Sequence, residues 1–539
     1  MHLFTLFLLT AATFAQLQEP LAQSSNRKDV LTPEIDNFIE NVLKSWNSPA
    51  GVGVAVVQKN EDGTWNIEKK GYGVAKADGS KVTEDTLFAI GSNSKLFDVI
   101  ATGLLISNES LSPQISWNTK ISSIIPEWEM ADPIATSEST IIDLMSHRTG
   151  LPRHDMVYND SEPVGSLISQ IKYLRPSAGF RETWQYNNIM YIVLSYIPEV
   201  FLNVRFAQYV KKHIFLPLGL HATTYSGDLA GATGKLAAGF ARDQVNKTED
   251  IFGMGIPRAL PYWNPGGEEG NIISGAGGVI SSARDMMAAN ASPLGKKSDN
   301  QRPSDPESVI TKVATGVTVL MGSPPAPEIG PVVYGGGQMA STYRGHNGIQ
   351  HGGATPGFHS QVVRFPLENF GVAVLTNDDA YGEQYMEVIK WRIIDEILGL
   401  EPIDWDSRLK HEVTEGYQQS LENITPRPAE PDLPSVSFAS LSGRYVHPAY
   451  GTFDLCGLPS TDSKPNAACK ELIDEIPTRL PGVINASLPT FIVHTKKTWL
   501  THIRLEHFSG NLFNVSGFGS LVSIYTFIAA NTDVTVGLA

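Results

Sequence analysis

At 539 residues, with 41 basic against 56 acidic side chains and a formal charge of −15, the chain exceeds what one hydrophobic core sustains and carries no basic stripe for a phosphate backbone. A large domain with a smaller companion is expected, and no nucleic-acid partner. The two cysteines lack C-x-x-C spacing, which argues against a zinc or redox dithiol.

Residues 1–14 form a short apolar run, followed by the small-residue sites Thr13-Phe14-Ala15 and Pro20-Leu21-Ala22. This reads as a secretory signal over 1–22, cut near Ala15 or Ala22, and it is too short to cross a bilayer. A secreted protein is expected, without stable membrane insertion. In an oxidising compartment Cys456 and Cys469 would pair, and sequons at Asn108, Asn159, Asn246, Asn290, Asn423, Asn485 and Asn514 are glycosylation candidates.

Thr32-Pro33 ahead of Ile35, Phe38, Ile39, Val42, Leu43 and Trp46 predicts a capped amphipathic helix. Residues 51–58 and 65–74, split by Glu61-Asp62-Gly63, predict a hairpin. Residues 110–330 alternate helical segments (141–147, 189–201, 206–214) with Pro/Gly-rich stretches, as a helical insertion would. Strands return at 361–365 and 371–375, and a helix follows over 385–398. The sheet is thus built from both ends of a domain spanning about 30–400. Residues 401–436 have linker composition, and 437–539 read as a small β-rich module. The fold class is α/β in the mixed α+β sense.

Four Ser-x-x-K spacings occur, at Ser25/Lys28, Ser92/Lys95, Ser169/Lys172 and Ser407/Lys410. Context separates them. At Ser92 a strand-like run (88–90) changes to a helical period carried by Leu96, Val99, Ile100, Gly103 and Leu104, so Ser92 and Lys95 share one face of a first turn. A serine hydroxyl needs a base, and a lysine serves when its charge is suppressed. Tyr186 and Asn188 place a phenol and an amide two residues apart at a helix entrance; in isolation this is a buried aromatic beside an N-cap. His351-Gly352-Gly353-Ala354 stands just before the returning strands, where glycines admit a close backbone approach.

In this order these pieces resemble the serine β-lactamase and penicillin-binding-protein superfamily, nearest its class C β-lactamase, D-aminopeptidase and esterase branch. The likeness covers residues 30 to 400 and includes Leu144-Met145-Ser146-His147-Arg148-Thr149-Gly150-Leu151-Pro152, Ile214-Phe215-Leu216-Pro217-Leu218-Gly219-Leu220 and Gly275-Ala276-Gly277-Gly278-Val279-Ile280-Ser281. It implies an antiparallel sheet flanked by helices with an all-helical subdomain. It also implies that Ser92 attacks an acyl carbonyl, that Lys95 and Tyr186 move the proton, that Asn188 holds substrate or Lys95, and that the N–H groups of Ser92 and Ala354 form the oxyanion pocket beside Gly353. The C-terminal module resembles the β-rich extensions of secreted fungal β-lactamase-like proteins, some of them in secondary-metabolite pathways.

One departure bears on substrate. His351 replaces the lysine of the superfamily's Lys-Thr-Gly or Lys-Ser-Gly, exchanging a fixed cation for a group mostly neutral at pH 7. The expectation is therefore an ester or amide hydrolase. An acyltransferase, a true β-lactamase or D-peptidase, and a non-catalytic binding protein on the same fold are the alternatives. His147, His154 and Asp155 match no zinc spacing, and no G-x-G-x-x-G, P-loop or G-x-S-x-G occurs, so neither a metal nor a cofactor is assigned. Oligomeric state is not legible in the sequence.

Overall fold

The computed structural model describes residues 28–264, 266–291, 306–458, 461, 464–479, 487–518 and 524–525. The expected signal segment and the Asn485 sequon lie outside them.

The chain opens with α1 (Pro33–Ser45), whose Thr32 side chain accepts from the Ile35 N–H ahead of a proline at the first position. The hairpin follows as β1 (Gly51–Lys59) and β2 (Trp65–Gly73), turned where Gly63 takes φ 84° and the Asp62 carboxylate accepts from Thr64 N at 2.9 Å. A helical region comes next, with α2 (Ser94–Ile106), α3 (Ile141–Met145), α4 (Asn188–Ser195) and α5 (Ala283–Ala291). The chain then returns to the sheet as β3 (Thr318–Met321), β4 (Val332–Tyr334), β5 (Met339–Tyr343), β6 (His346–Thr355), β7 (Phe358–Phe365) and β8 (Phe370–Thr376), and closes with α6 (Gly382–Leu398).

The sheet has eight strands in the order β2-β1-β8-β7-β6-β5-β4-β3, every neighbouring pair antiparallel. Its centre joins the two ends of the domain, with Val54 opposite Val374. β1 reads as an unbroken apolar run because both faces are covered. Val52, Val54 and Val56 share one core with Ile35 and Ile39 of α1 and Tyr385 and Ile389 of α6, while Ala55 and Val57 share another with Met286 and Met287 of α5. The predicted helix over 189–201 divides at Tyr196. Pro198 cannot donate to the ladder and starts a separate helix, Ile197–Leu202.

One expectation needs correction. The 401–436 segment is not all linker, since α7 (Trp405–Glu422) occupies its first half and buries Trp405 against Trp391 and Tyr343. The C-terminal module is built round an antiparallel sheet among the described residues, as expected. Its six strands β9 (Gly443–His447), β10 (Gly451–Gly457), β11 (Thr490–His494), β12 (His502–Ser509), β13 (Leu512–Phe518) and β14 (Ile524–Tyr525) follow one another in sheet order, but α8 (Ala467–Arg479) packs on them. α8 carries Cys469, disulfide-bonded to Cys456 of β10. Long polar stretches hide such amphipathic helices when their buried stripe is narrow.

The module is docked on the first domain. The Trp499 indole stacks on Trp263 with centroids 5.0 Å apart and donates to the Tyr158 hydroxyl at 3.1 Å, and the Tyr450 hydroxyl meets His154 Nδ1 at 2.7 Å. Among the described residues no single helix is long and apolar enough to cross a membrane. The sequon asparagines Asn246, Asn423 and Asn514 are exposed, while Asn108 and Asn159 are half-buried.

Candidate active site

Ser92 lies in a single 3-10 turn, Gly91–Asn93, that leads directly into α2. Side-chain hydrogen bonds fix this turn from both sides. Ser94 Oγ donates to Gly91 O at 2.7 Å and accepts from Val279 N at 3.0 Å; Ser360 Oγ on β7 donates to Ile90 O at 2.7 Å and accepts from Asn93 Nδ2 at 2.8 Å.

Lys95, three residues on, is fully buried and brings Nζ to 3.1 Å from Ser92 Oγ. The same nitrogen reaches Asn188 Oδ1 at 2.8 Å and the carbonyl of Ala276 at 2.6 Å. Burial holds the Lys95 amine well below the usual lysine range; the Arg153 guanidinium adds to this, and the carboxyls of Asp155 and Asp98 oppose it. Asp98 is a poor counter-ion, because burial drives its own carboxyl well above the normal range and neither oxygen has a hydrogen-bond partner among the described residues. A neutral amine has two N–H donors. With both given to Asn188 and Ala276, its lone pair is left for the serine proton.

Tyr186 completes the group, its hydroxyl hydrogen-bonded to Ser92 Oγ. Burial pushes this phenol up to about 12, although the bond to Ser92 and the charge of Arg153 pull the other way, so it remains protonated at neutral pH. Asn188 is aimed by its neighbours. Its Nδ2 donates to Asp155 Oδ1 at 3.1 Å, while Asn187 caps α4 by accepting from Ile189 N at 2.8 Å.

β6 runs past Ser92. Gly91 has φ 50°, and a Cβ there would stand 2.7 Å from Ala354 N; a Cβ on Gly353 would stand 2.0 Å from Ile90 O and 2.6 Å from Ser360 Oγ. The two backbones therefore touch, which sets the Ala354 N–H beside the Ser92 turn. Gly353→Ala is expected to lower stability by about 1–3 kcal/mol, seen as a reduced urea midpoint, and to slow acylation because Ile90 must move.

His351 is buried, and both its ring nitrogens are engaged inside the protein, Nε2 with the Tyr334 hydroxyl at 3.0 Å and Nδ1 with Gly352 O. Burial and the neighbouring Lys95 lower it to about 4, so it is neutral at pH 7.

The structure thus brings Ser92, Lys95, Tyr186, Asn188, Gly353 and Ala354 into one group, with His351 behind it. Sequence reasoning weighed His147 and Asp155 only as metal ligands and passed over Arg153 and Tyr158. The fully buried His147 ring lies 4.5 Å from that of Tyr186, 5.1 Å from Tyr191 and 5.0 Å from Tyr334, and its Nδ1 accepts from Asn187 N at 3.2 Å. Tyr158 donates to Asp155 Oδ1 at 2.9 Å, so the Asn188 brace continues to the C-terminal module through Trp499. The available signal was the position of Arg153 and Asp155 immediately after the matched segment ending at Pro152. Among the described residues no His, Cys, Asp and Glu side chains group to hold a metal, and His147 and His154 serve different partners.

A hydroxyl within hydrogen-bonding reach of a buried lysine amine and a phenol, on a turn against which the β6 backbone packs, is the arrangement this site presents. The beta-lactamase family model matches residues 38–392, and the chain belongs to that family of serine hydrolases. It is 28% identical over 447 residues to the unguisins hydrolase ungD' of Aspergillus campestris, covering 80% of this chain and 78% of that protein. Against a putative D-alanyl-D-alanine carboxypeptidase of Salmonella heidelberg it is 25% identical, over 47% of this chain and 61% of the other. In fold it is similar to the octameric penicillin-binding protein homologue of Pyrococcus abyssi, with TM-score 0.57 and 16% identity over 90% of this chain and 95% of that one. It is likewise similar to a class C beta lactamase of Rhodobacter sphaeroides, with TM-score 0.50 and 21% identity over 68% and 99%.

Proposed function

We propose that this protein is a secreted serine hydrolase that cleaves a small-molecule ester or amide through an acyl-enzyme on Ser92. The observation that carries this reading is the hydrogen-bond assignment of Lys95, with two acceptors at 2.6 and 2.8 Å and the nucleophile as its third neighbour at 3.1 Å. Ser92 Oγ attacks the carbonyl carbon while its proton passes to the Lys95 amine. The oxyanion that forms meets the N–H groups of Ser92 and Ala354. Tyr186, protonated and bonded to the same oxygen, relays a proton to the leaving group as the C–N or C–O bond breaks. Water then attacks the acyl carbon, gives its proton to the same pair of residues, and frees Ser92.

Hydrolysis, rather than transfer to a second acceptor, is supported by the name of the Aspergillus relatives, which match over most of both chains. The neutral, internally engaged His351 supports a substrate that does not depend on a cation at that strand position. Passage through the secretory pathway is supported by the Cys456–Cys469 disulfide and the apolar residues 1–14.

Incubating the native protein with a fluorophosphonate probe and mapping the adduct by mass spectrometry tests the acyl-enzyme. Modification at Ser92 is expected. Turnover of p-nitrophenyl esters by a protein whose Ser92 stays unmodified would overturn the assignment.

A further inference from the structure

Three cations bear on the nucleophile by position, and two are spent. Lys95 is buried, its amine held well below the usual lysine range and its nitrogen engaged by Asn188 and Ala276, and His351 is neutral with both nitrogens engaged. The third is Arg153. Its guanidinium lies 4.5 Å from the centroid of the Tyr186 ring, the ring whose hydroxyl holds Ser92 Oγ. Its charge is felt at Lys95, Tyr186, His147 and Tyr158.

Arg153 is also underused. Among the described residues its one ion pair is a loose 3.8 Å contact to Asp155 Oδ2, and its side chain keeps 60% of its exposure. Asp155 is committed inward, accepting from Asn188 at 3.1 Å and from Tyr158 at 2.9 Å through Oδ1. A guanidinium lying against a ring leaves the N–H groups on its edge free, in the fork that matches a carboxylate.

The loop that carries Arg153 is held on both sides. Asn187 Nδ2 donates to Leu151 O at 3.1 Å and to Pro152 O at 2.9 Å. On the other side His154 is fixed between the Tyr450 hydroxyl at 2.7 Å and Arg175 O at 3.2 Å. An exposed arginine on a pinned backbone, set against a catalytic-site ring and short of acceptors, is arranged to recognise something brought to it.

We propose that Arg153 is the anion-recognising residue of this active site, binding a carboxylate that the ester or amide substrate carries close to its scissile bond. The proposal rests on the acyl-enzyme reading above. It moves anion recognition from the strand position held by His351 to the loop after Pro152. Tyr450 then gives the C-terminal module a part in specificity, because it fixes the residue next to Arg153.

Matched esters test it. One pair is the acetyl ester of 4-hydroxybenzoate and of methyl 4-hydroxybenzoate, which differ by a carboxylate on the leaving side. The other is p-nitrophenyl adipate and its methyl ester, which differ by a carboxylate on the acyl side. In at least one pair, Arg153→Ala is expected to lower kcat/KM for the carboxylate member about ten-fold or more beyond its effect on the neutral member, with Arg153→Lys intermediate. Equal losses for both members of both pairs would make Arg153 a support for Tyr186 and overturn the proposal, as would a carboxylate preference that survives Arg153→Ala. Fluorophosphonate labelling of Ser92 in each variant keeps the two readings apart. A labelled, ester-cleaving enzyme without the Arg153 effect defeats anion recognition alone; an enzyme unlabelled at Ser92 defeats the acyl-enzyme.

Discussion

Replacing Ser92 by alanine is expected to lower kcat/KM on any ester or amide substrate by at least about 10⁴-fold, because the acyl-enzyme route then has no nucleophile. The loss should come without unfolding. Ser92 is only partly buried, and the turn that holds it is tied by Ser94, Asn93 and Ser360 rather than by its own side chain. Removing Oγ leaves Lys95 with its contacts to Asn188 and Ala276. The urea midpoint of Ser92→Ala should therefore stay near that of the native protein, while fluorophosphonate incorporation disappears. Residues that act as a unit are not additive, so a Ser92→Ala, Lys95→Met double variant should be no slower than Ser92→Ala alone. A double variant that loses a further large factor would mean that Lys95 serves a second, Ser92-independent route.

Ser92 and Lys95 were legible because their relation is local. A spacing of three on one helical face puts an amine beside a hydroxyl whatever the tertiary structure does, and the strand-to-helix change of pattern separated this pair from three others of equal spacing. The sheet was legible for a similar reason, since its strands at 51–58 and 371–375 are short, valine-rich apolar runs bounded by turn residues. What stayed hidden is long-range. Ala276 contributes a backbone carbonyl, which leaves no mark on residue type. Arg153 and Asp155 acquire meaning only once the α4 entrance is folded against their loop, through Asn187 and Asn188. His351 was recognisable as a departure from a motif, but its neutrality follows from burial beside Tyr334 and Lys95, partners 17 and 256 positions away in sequence.

Lys95→Met should be the more informative substitution, since it tests the charge state on which the mechanism depends. A general base typically contributes 10²–10⁴-fold, so kcat/KM is expected to fall by about 10³-fold. On the proposed mechanism the reactive form has Lys95 uncharged. Because its pKa in the folded protein is depressed, kcat/KM should rise with pH through that value and level off well below the ordinary 10.5. Tyr186, pushed up to about 12, sets no decline in the neutral range. Stability carries the same signature with a definite sign. Between the depressed folded value and 10.5 the unfolded chain binds the lysine proton and the folded one does not, so native stability increases with pH in that window and is lost as pH falls through it. Methionine has no such term. The stability of Lys95→Met relative to wild type should therefore improve as pH falls from about 10 towards 7, and urea midpoints at the two ends measure it. A difference that stays constant over that range, together with a rate profile that has no acid limb, would mean that Lys95 is a charged structural residue, and Tyr186 would then be the group that takes the serine proton.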